Sequence, residues 1–245
     1  MTICFAVLLP TAGLYVASDL LRGTTAEFLT AVRMLALFGA LYGSLKALAE
    51  SRMIPLLAYA SLSFYSVLWW HIAGIRTLTA EAAMYFSAVV LITAGLSLAW
   101  FRVQARYGNR ALERIGGLAR PMPRFATLLA LLAMAAAGLP PFGLFSGYTG
   151  MLLLAAAEVS WDLTVILLTW LAASFYFFRM MQQLLFGPHR TDITYQDLRG
   201  GETTILTIII AILIAVGLLP SCYFESTTLA NGYRATLEMT PSWIK

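Results

Sequence analysis

The stretch AGLPPFGLFSGY, residues 137–148, interrupts a region that is otherwise apolar enough to cross a membrane. Proline has no N–H to donate and glycine tolerates positive φ, so this string would form an ordinary turn in water. In lipid, unpaired backbone groups are costly, so the break must be shielded by neighbouring helices or must line a polar cavity. The stretch therefore predicts two short helices joined by a turn inside a helical membrane protein.

The composition extends this prediction to the whole chain. Of its 245 residues, 60% are hydrophobic and 11% are charged, whereas soluble domains have roughly 25% charged residues. The mean hydropathy is +0.79. Most of its apolar runs approach the ~20 residues that span hydrocarbon, and they cover 2–21, 28–48, 56–75, 82–101, 125–139, 144–157, 163–186 and 204–219. We predict an all-α polytopic membrane protein with about eight transmembrane helices, at least one of them discontinuous.

Groups that could hold a cofactor are sparse in this sequence. Cys4 and Cys222 lie at opposite ends of the chain, and His71 and His189 are isolated from one another. This pattern predicts neither a disulfide framework nor a thiolate metal site. No phosphate-binding glycine loop, hydrolase triad or zinc-protease spacing is present. We therefore expect no catalytic centre, no metal and no cofactor in this chain.

Basic residues predict the orientation in the membrane. The segment 101–124 between the fourth and fifth runs is rich in arginine, and the positive-inside rule places it on the cytoplasmic side, or the matrix side in an organelle. With eight spans, both termini share that side. The net charge of +4 then reflects topology, and we expect no nucleic-acid partner. Partner subunits and anionic lipid headgroups are equally good candidates to contact the arginines, which include Arg102, Arg106, Arg110 and Arg114.

Charged and polar residues near the spans are candidate ion-path groups unless they reach water at the membrane edge. Lys46 and Glu50 are four residues apart, so they share a helix face and can pair. A snorkelling pair is the simpler interpretation, and it also applies to Arg179. For Arg33, snorkelling and a buried contact both remain open. Arg52 follows directly in the next turn.

The sequence WWH at 69–71 has two interpretations. An aromatic belt at the headgroup level is the first, and a proton relay through His71 is the second. Between 82 and 101, and between 125 and 157, the chain has no acid, lysine or histidine. A continuous proton wire through these segments would need water in their place.

Pro10 interrupts the first span, and Pro140-Pro141 separates the fifth span from the sixth. Discontinuous helices are common in transporters, where free helix ends face the binding site. A kink used only for packing is equally consistent with these residues.

Several stretches together resemble one known family, the antiporter-like subunits of respiratory complex I and of Mrp-type sodium/proton antiporters. They are LLPTAGLYV (8–16), LYGSLKALAESRMIPLLAYASLSFYSVLW (41–69), RALERIGGLARPMP (110–123), AGLPPFGLFSGYTGMLLL (137–154) and QQLLFGP (182–188). Their order and spacing resemble the second half of a fourteen-helix subunit. The resemblance implies an antiporter-like repeat unit over 1–186, followed over 187–245 by a polar loop, a last helix and a tail.

This chain departs from the family at the residues that would carry protons. The family's lysines and other ionisable groups fall at Pro10, Ile54, Val89 and Tyr148, and none of these titrates near neutral pH. Tyr148 could still hydrogen-bond water.

Four functions remain open. The chain could be a truncated, structural or partner-binding subunit of a complex-I-related assembly, in which flavin, iron-sulfur and quinone sites lie in other subunits. It could be an ion-translocating half completed by another chain, using Lys46, Glu50, Arg52 and His71. It could serve inorganic-carbon uptake with a zinc-containing partner on the arginine loop. Lastly, it could be an independent transporter that binds substrate at the Pro10 and Pro140 breaks.

Overall fold

A computed structural model describes residues 12–13, 23–107, 116–156, 161–187 and 200–218. These ranges contain seven α-helices and no β-strand. The first predicted span, 2–21, falls almost wholly outside the described residues, so the count of eight stays a prediction. The helices are α1 Ala26–Ala49, α2 Met53–Ile75, α3 Ala80–Tyr107, α4 Pro123–Ala136, α5 Gly143–Ala155, α6 Trp161–Phe186 and α7 Gly200–Leu218.

Five of these helices are long and apolar enough to cross a membrane, namely α1, α2, most of α3, α6 and α7. The helices α4 and α5 have only 14 and 13 residues. Two short helices on either side of residues 137–142 confirm the prediction made from the double proline.

The helices α1 and α2 form a tight antiparallel hairpin because small residues let their backbones approach. An ideal Cβ on Gly43 would lie 2.8 Å from the carbonyl oxygen of Tyr59. The Ser63 hydroxyl donates to the Ala40 carbonyl at 3.0 Å. Small residues at helix contacts are typical of membrane proteins, in which burial of apolar surface does not by itself drive association.

The helix interruption between α4 and α5, residues 137–142, is covered by α6. Gly138 has a φ of +72°, and an ideal Cβ there would collide with the Trp170 indole. The Ala137 carbonyl accepts hydrogen bonds from Trp170 Nε1 at 3.2 Å and from the Ser174 hydroxyl at 2.9 Å. The backbone oxygen freed by the break is therefore paired within the protein. The Pro140-Pro141 peptide bond is cis.

Two of the family-like stretches meet in space. The Leu118 and Ala119 amides donate to the Leu184 and Leu185 carbonyls at 3.0 and 3.2 Å. An ideal Cβ on Gly116 would lie 2.9 Å from the Cα of Gly187, so this crossing requires glycine. The segment before α4 is thereby fixed to the end of α6.

Helix connections divide the bundle into two ends. At the end that we call the Arg102 end, α1 and α3 finish and α2 and α4 begin. At the opposite end, which we call the Arg33 end, α1, α3 and α6 begin and α2 finishes. The Arg33 end holds the buried charges described next.

Candidate functional site

A buried ion pair joins α1 to α6 at the Arg33 end. The Nε atom of Arg33 lies 2.5 Å from Oδ2 of Asp162, and the side chains are 27% and 7% exposed. Trp70 donates its Nε1 hydrogen to the same oxygen at 3.3 Å. The Arg33 guanidinium also lies 5.9 Å from the centre of the Trp70 ring, within cation–π range. Of the two interpretations open for Arg33, the structure therefore selects the buried contact.

His71 extends this cluster toward α3. Its Nε2 atom lies 3.1 Å from the Thr79 hydroxyl, which also accepts the Ala82 amide in the first turn of α3. Nδ1 of His71 is buried and has no hydrogen-bond partner among the described residues. Trp70 and His71 are each 2% exposed. The aromatic-belt interpretation is thus wrong for both residues, because they face the interior of the bundle.

A cavity of about 150 Å³ adjoins the cluster. Arg33, Trp70, His71 and Gly74 line it from α1 and α2, and the last turn of α5 closes one side. Asp162, the ion-pair partner of Arg33, is not among the lining residues.

Two of the four positions where the family resemblance places ionisable groups, Tyr148 and Val89, are buried. Tyr148 is buried and donates its hydroxyl to the Ile166 carbonyl at 2.7 Å. Its ring lies 4.9 Å from that of Trp170 and 5.9 Å from that of Tyr85. Val89 is buried in the core, whereas Ile54 is exposed near the start of α2. Pro10 lies outside the described residues.

The structure does not bring the other candidate ion-path residues together with His71. Lys46, Glu50 and Arg52 lie at the Arg102 end, where Lys46 and Arg52 are exposed and Glu50 is half-buried. Among the described residues, Lys46 and Glu50 form no ion pair. The helix α1 ends at Ala49 and Glu50 is extended, so the two residues do not share a helix face as predicted. His71 lies at the opposite end, near the finish of α2.

Arg179 makes a contact that the snorkelling interpretation does not include. Its Nη1 atom donates to the Leu48 carbonyl at 2.8 Å, near the end of α1. Glu50, Tyr176 and Gln183 line a narrow depression beside it. Among the described residues, the buried Tyr176 hydroxyl has no hydrogen-bond partner. Arg179 thus anchors α6 to the end of α1.

The arginine segment is only partly described. Arg102 pairs with Glu202 at 3.1 Å, which ties the end of α3 to the start of α7. Arg106 lies in the last turn of α3. Arg110 and Arg114 lie outside the described residues, so their contacts with a partner or with lipid remain predictions.

Asp162 is the functional candidate that sequence reasoning missed. It stands at the boundary of an apolar run, where a carboxylate normally reaches water, and Arg33 is far away in sequence. The available signal was an acidic residue directly after Trp161 at the start of a span, together with an unexplained arginine inside another. Within the described ranges, no three His, Cys, Asp or Glu side chains are grouped to hold a metal ion.

Comparison with known proteins agrees with this architecture. A family model described as NADH:quinone oxidoreductase/Mrp antiporter, transmembrane, matches residues 1–176. NADH-quinone oxidoreductase subunit 13 of Thermus thermophilus is 31% identical over 194 residues, covering 78% of this chain and 40% of that protein.

Solved structures give the same result. A chain of respiratory complex I from Thermus thermophilus with bound NADH superposes with a TM-score of 0.72 at 29% identity, over 81% of this chain and 42% of that chain. A chain of the membrane-bound sulfane sulfur reductase, an archaeal respiratory membrane complex, reaches 0.80 at 20% identity, over 94% and 48%. This second likeness shows the fold alone. In each comparison the chain spans less than half of the matched protein. The match to residues 1–176 covers most of the chain, which therefore belongs to the NADH:quinone oxidoreductase/Mrp antiporter transmembrane family.

Proposed function

We propose that the chain is an antiporter-like membrane subunit of a complex-I-related assembly, in which it provides packing surface and binds partner subunits without itself moving protons. It corresponds, in this proposal, to the second half of the longer family members. Flavin, iron-sulfur and quinone chemistry would belong to other subunits.

The state of Tyr148 is the observation that carries this proposal. A proton-relay residue needs a group that titrates near the working pH and exchanges with water. The Tyr148 hydroxyl instead donates to a main-chain carbonyl and its ring packs between aromatic rings. Val89 stands at another position where the family resemblance places an ionisable residue, and it is buried in the core. These surroundings favour packing over proton transfer.

Co-purification tests the proposal. The tagged chain is extracted from its native membrane in mild detergent, and the proteins that accompany it are identified by mass spectrometry. We expect oxidoreductase, hydrogenase or antiporter subunits in stable stoichiometry. A stably monomeric chain would contradict the proposal, and a zinc-containing, carbonic-anhydrase-like partner would instead favour inorganic-carbon uptake.

A second candidate function is ion translocation in a half completed by another chain. The ion pair of Arg33 and Asp162, with His71 beside it, favours this alternative because ionisable residues inside spans usually mark ion paths. In this alternative, the ionisable groups at the Arg33 end would take the role of those that the family resemblance places at Pro10, Ile54, Val89 and Tyr148.

Proton transport by the purified assembly in sealed vesicles separates the two candidates. Under the structural proposal, Asp162→Asn and His71→Ala change the rate only as far as they change the amount of folded assembly. Loss of transport at normal assembly levels would favour the second candidate. Lys46→Ala and Glu50→Ala, at the other end, test whether a path crosses the whole chain.

A further inference from the structure

Among the described residues, the Arg33 guanidinium has N–H donors without an acceptor, and it lines the cavity. Its Nε atom pairs with Asp162, but no acceptor among the described residues engages Nη1 or Nη2. Nη1 lies near Gly74, where an ideal Cβ would be 3.9 Å away. A guanidinium has five N–H donors in a planar fork, which matches the oxygens of carboxylates and phosphates. Four donors are therefore free of the Asp162 pair.

The cavity beside these donors has the size and chemistry of an anion site. Its volume of about 150 Å³ is enough for several water molecules or one phosphate group. None of its described lining residues is acidic, and Arg33 and His71 are the ionisable residues among them. His71 is 2% exposed and has an unpaired Nδ1 among the described residues.

Surrounding groups hold the guanidinium in place while leaving one side open. Asp162 forms an ion pair with the guanidinium, and the Trp70 ring lies within cation–π range of it. A carboxylate behind an arginine orients the fork and limits the cost of burying its charge. Gly74 and Ala155, which have little or no side chain, also line the cavity and leave space in it. Ile75 and Leu154 also line the cavity, and their apolar side chains could contact the acyl chains of a lipid.

We propose that this cavity binds a phosphate oxyanion through Arg33, with His71 as an additional polar contact. The phosphate can come from the headgroup of an anionic phospholipid or from free phosphate, since both present the same oxygens to the fork. The titrations below measure binding and not transport, so the site stands or falls separately from the structural role proposed above.

Ligand-dependent stability tests the site. The full chain, with any subunits that accompany it, is purified in nonionic detergent, and its Tm is followed during titration with inorganic phosphate at constant ionic strength. A parallel titration uses phosphatidylglycerol, with phosphatidylcholine as the zwitterionic control. A ligand that binds only the folded state raises Tm in a saturable manner. Saturation by phosphatidylglycerol alone identifies a lipid site, and saturation by inorganic phosphate identifies a free-anion site.

Two variants separate the site from general charge effects. Gly74→Leu fills the cavity while leaving the ion pair intact, and Arg33→Gln with Asp162→Asn removes the fork without leaving a lone buried charge. Each should weaken the apparent affinity about tenfold. The double variant loses the charge-assisted hydrogen bonds, and the side chain of Gly74→Leu occupies the space of the ligand. Arg52→Gln, an exposed arginine at the Arg102 end, is the matched control and should bind as the wild type does. Absence of saturable stabilisation, or wild-type affinity in Gly74→Leu, would overturn the proposal.

Discussion

At the scale of single residues, Arg33 and Asp162 stabilise the fold only as a pair. The isolated charge of either would be costly in a span, and the cost is greater for Asp162 because it is 7% exposed whereas Arg33 is 27% exposed. Replacing Arg33 by leucine leaves the carboxylate, among the described residues, with the Trp70 indole as its one donor. We expect Arg33→Leu to destabilise the fold by about 3 kcal/mol, measured by unfolding in mixed micelles that contain dodecyl sulfate.

The double variant is the control for this prediction. Arg33→Leu with Asp162→Leu removes both charges, so its stability should return to within about 1 kcal/mol of the wild type. If the two side chains act independently, the loss in the double variant will instead equal the sum of the losses in Arg33→Leu and Asp162→Leu.

Tyr148 gives a second prediction at this scale. Tyr148→Phe deletes one buried hydrogen bond to the Ile166 carbonyl but keeps the aromatic packing. The expected cost is about 1 kcal/mol of stability, with no change in proton transport by the assembly. Tyr85→Phe, which deletes a comparable bond to the Phe64 carbonyl, is the matched control. A transport defect in Tyr148→Phe alone would give Tyr148 a role in the ion path.

Sequence reasoning predicted residue types at this scale better than residue partners. It identified Arg33 and His71 as candidates, but its first interpretation of the sequence WWH was an aromatic belt at the membrane surface, and it omitted Asp162. Helical periodicity cannot separate a buried tryptophan from an interfacial one when the whole helix is apolar, as α2 is. The partner of Arg33 lies five helices further along the chain. Only the packed structure brings the two together.

At the scale of helices, α5 depends on close approach to α3. An ideal Cβ on Gly147 would lie 2.5 Å from the Tyr85 amide nitrogen and 2.7 Å from its Cα, and backbone atoms cannot yield as a side chain can. We expect Gly147→Ala to separate α5 from α3 and cost about 2 kcal/mol, as measured by the same unfolding assay.

Gly74→Ala is the matched substitution within a helix. Its Cβ meets only the Arg33 Nη1 atom at 3.9 Å, an ordinary contact. Alanine is the better helix former by up to about 1 kcal/mol, so this variant should be neutral or slightly more stable. Equal destabilisation by the two alanines would mean that helix contacts at Gly147 are not the cause.

The break between α4 and α5 shows how far sequence could go for an element. The helix α4 ends four residues before Pro140, and α5 begins two residues after Pro141. Proline has no N–H to donate within a helix, so a break here was predictable from the sequence. The sequence did not predict which helix covers the break. Trp170 and Ser174 pair with the Ala137 carbonyl only because α6 packs across the break.

At the scale of the whole molecule, seven predicted spans have matching helices, within a few residues at most ends. Apolar runs of this length have few alternatives in lipid, which explains the agreement. The arrangement of the helices could not be predicted from the apolar runs, because helices that are apolar on most faces do not show which face contacts a neighbour. It follows instead from local contacts, such as Gly43 against Tyr59 and Gly116 against Gly187.

Orientation in the membrane is the last prediction. Arg76 follows α2 at the Arg33 end, and Arg120 precedes α4 at the Arg102 end; both are exposed. Between them α3 has 28 residues, about 42 Å of helix, which is enough to cross the bilayer. Lysine and arginine concentrate outside the spans at the Arg102 end, so the positive-inside rule places Arg120 in the cytoplasm.

Thiol labelling measures this orientation directly. With Cys4 and Cys222 replaced by serine, single cysteines are introduced by Arg76→Cys and Arg120→Cys and treated with a membrane-impermeant maleimide. In intact spheroplasts, Arg76→Cys should react and Arg120→Cys should not; inverted vesicles should reverse the pattern. Labelling of both positions from one side would mean that α3 does not span the membrane. The reverse pattern would mean that partner subunits, and not the arginines of this chain, determine its insertion.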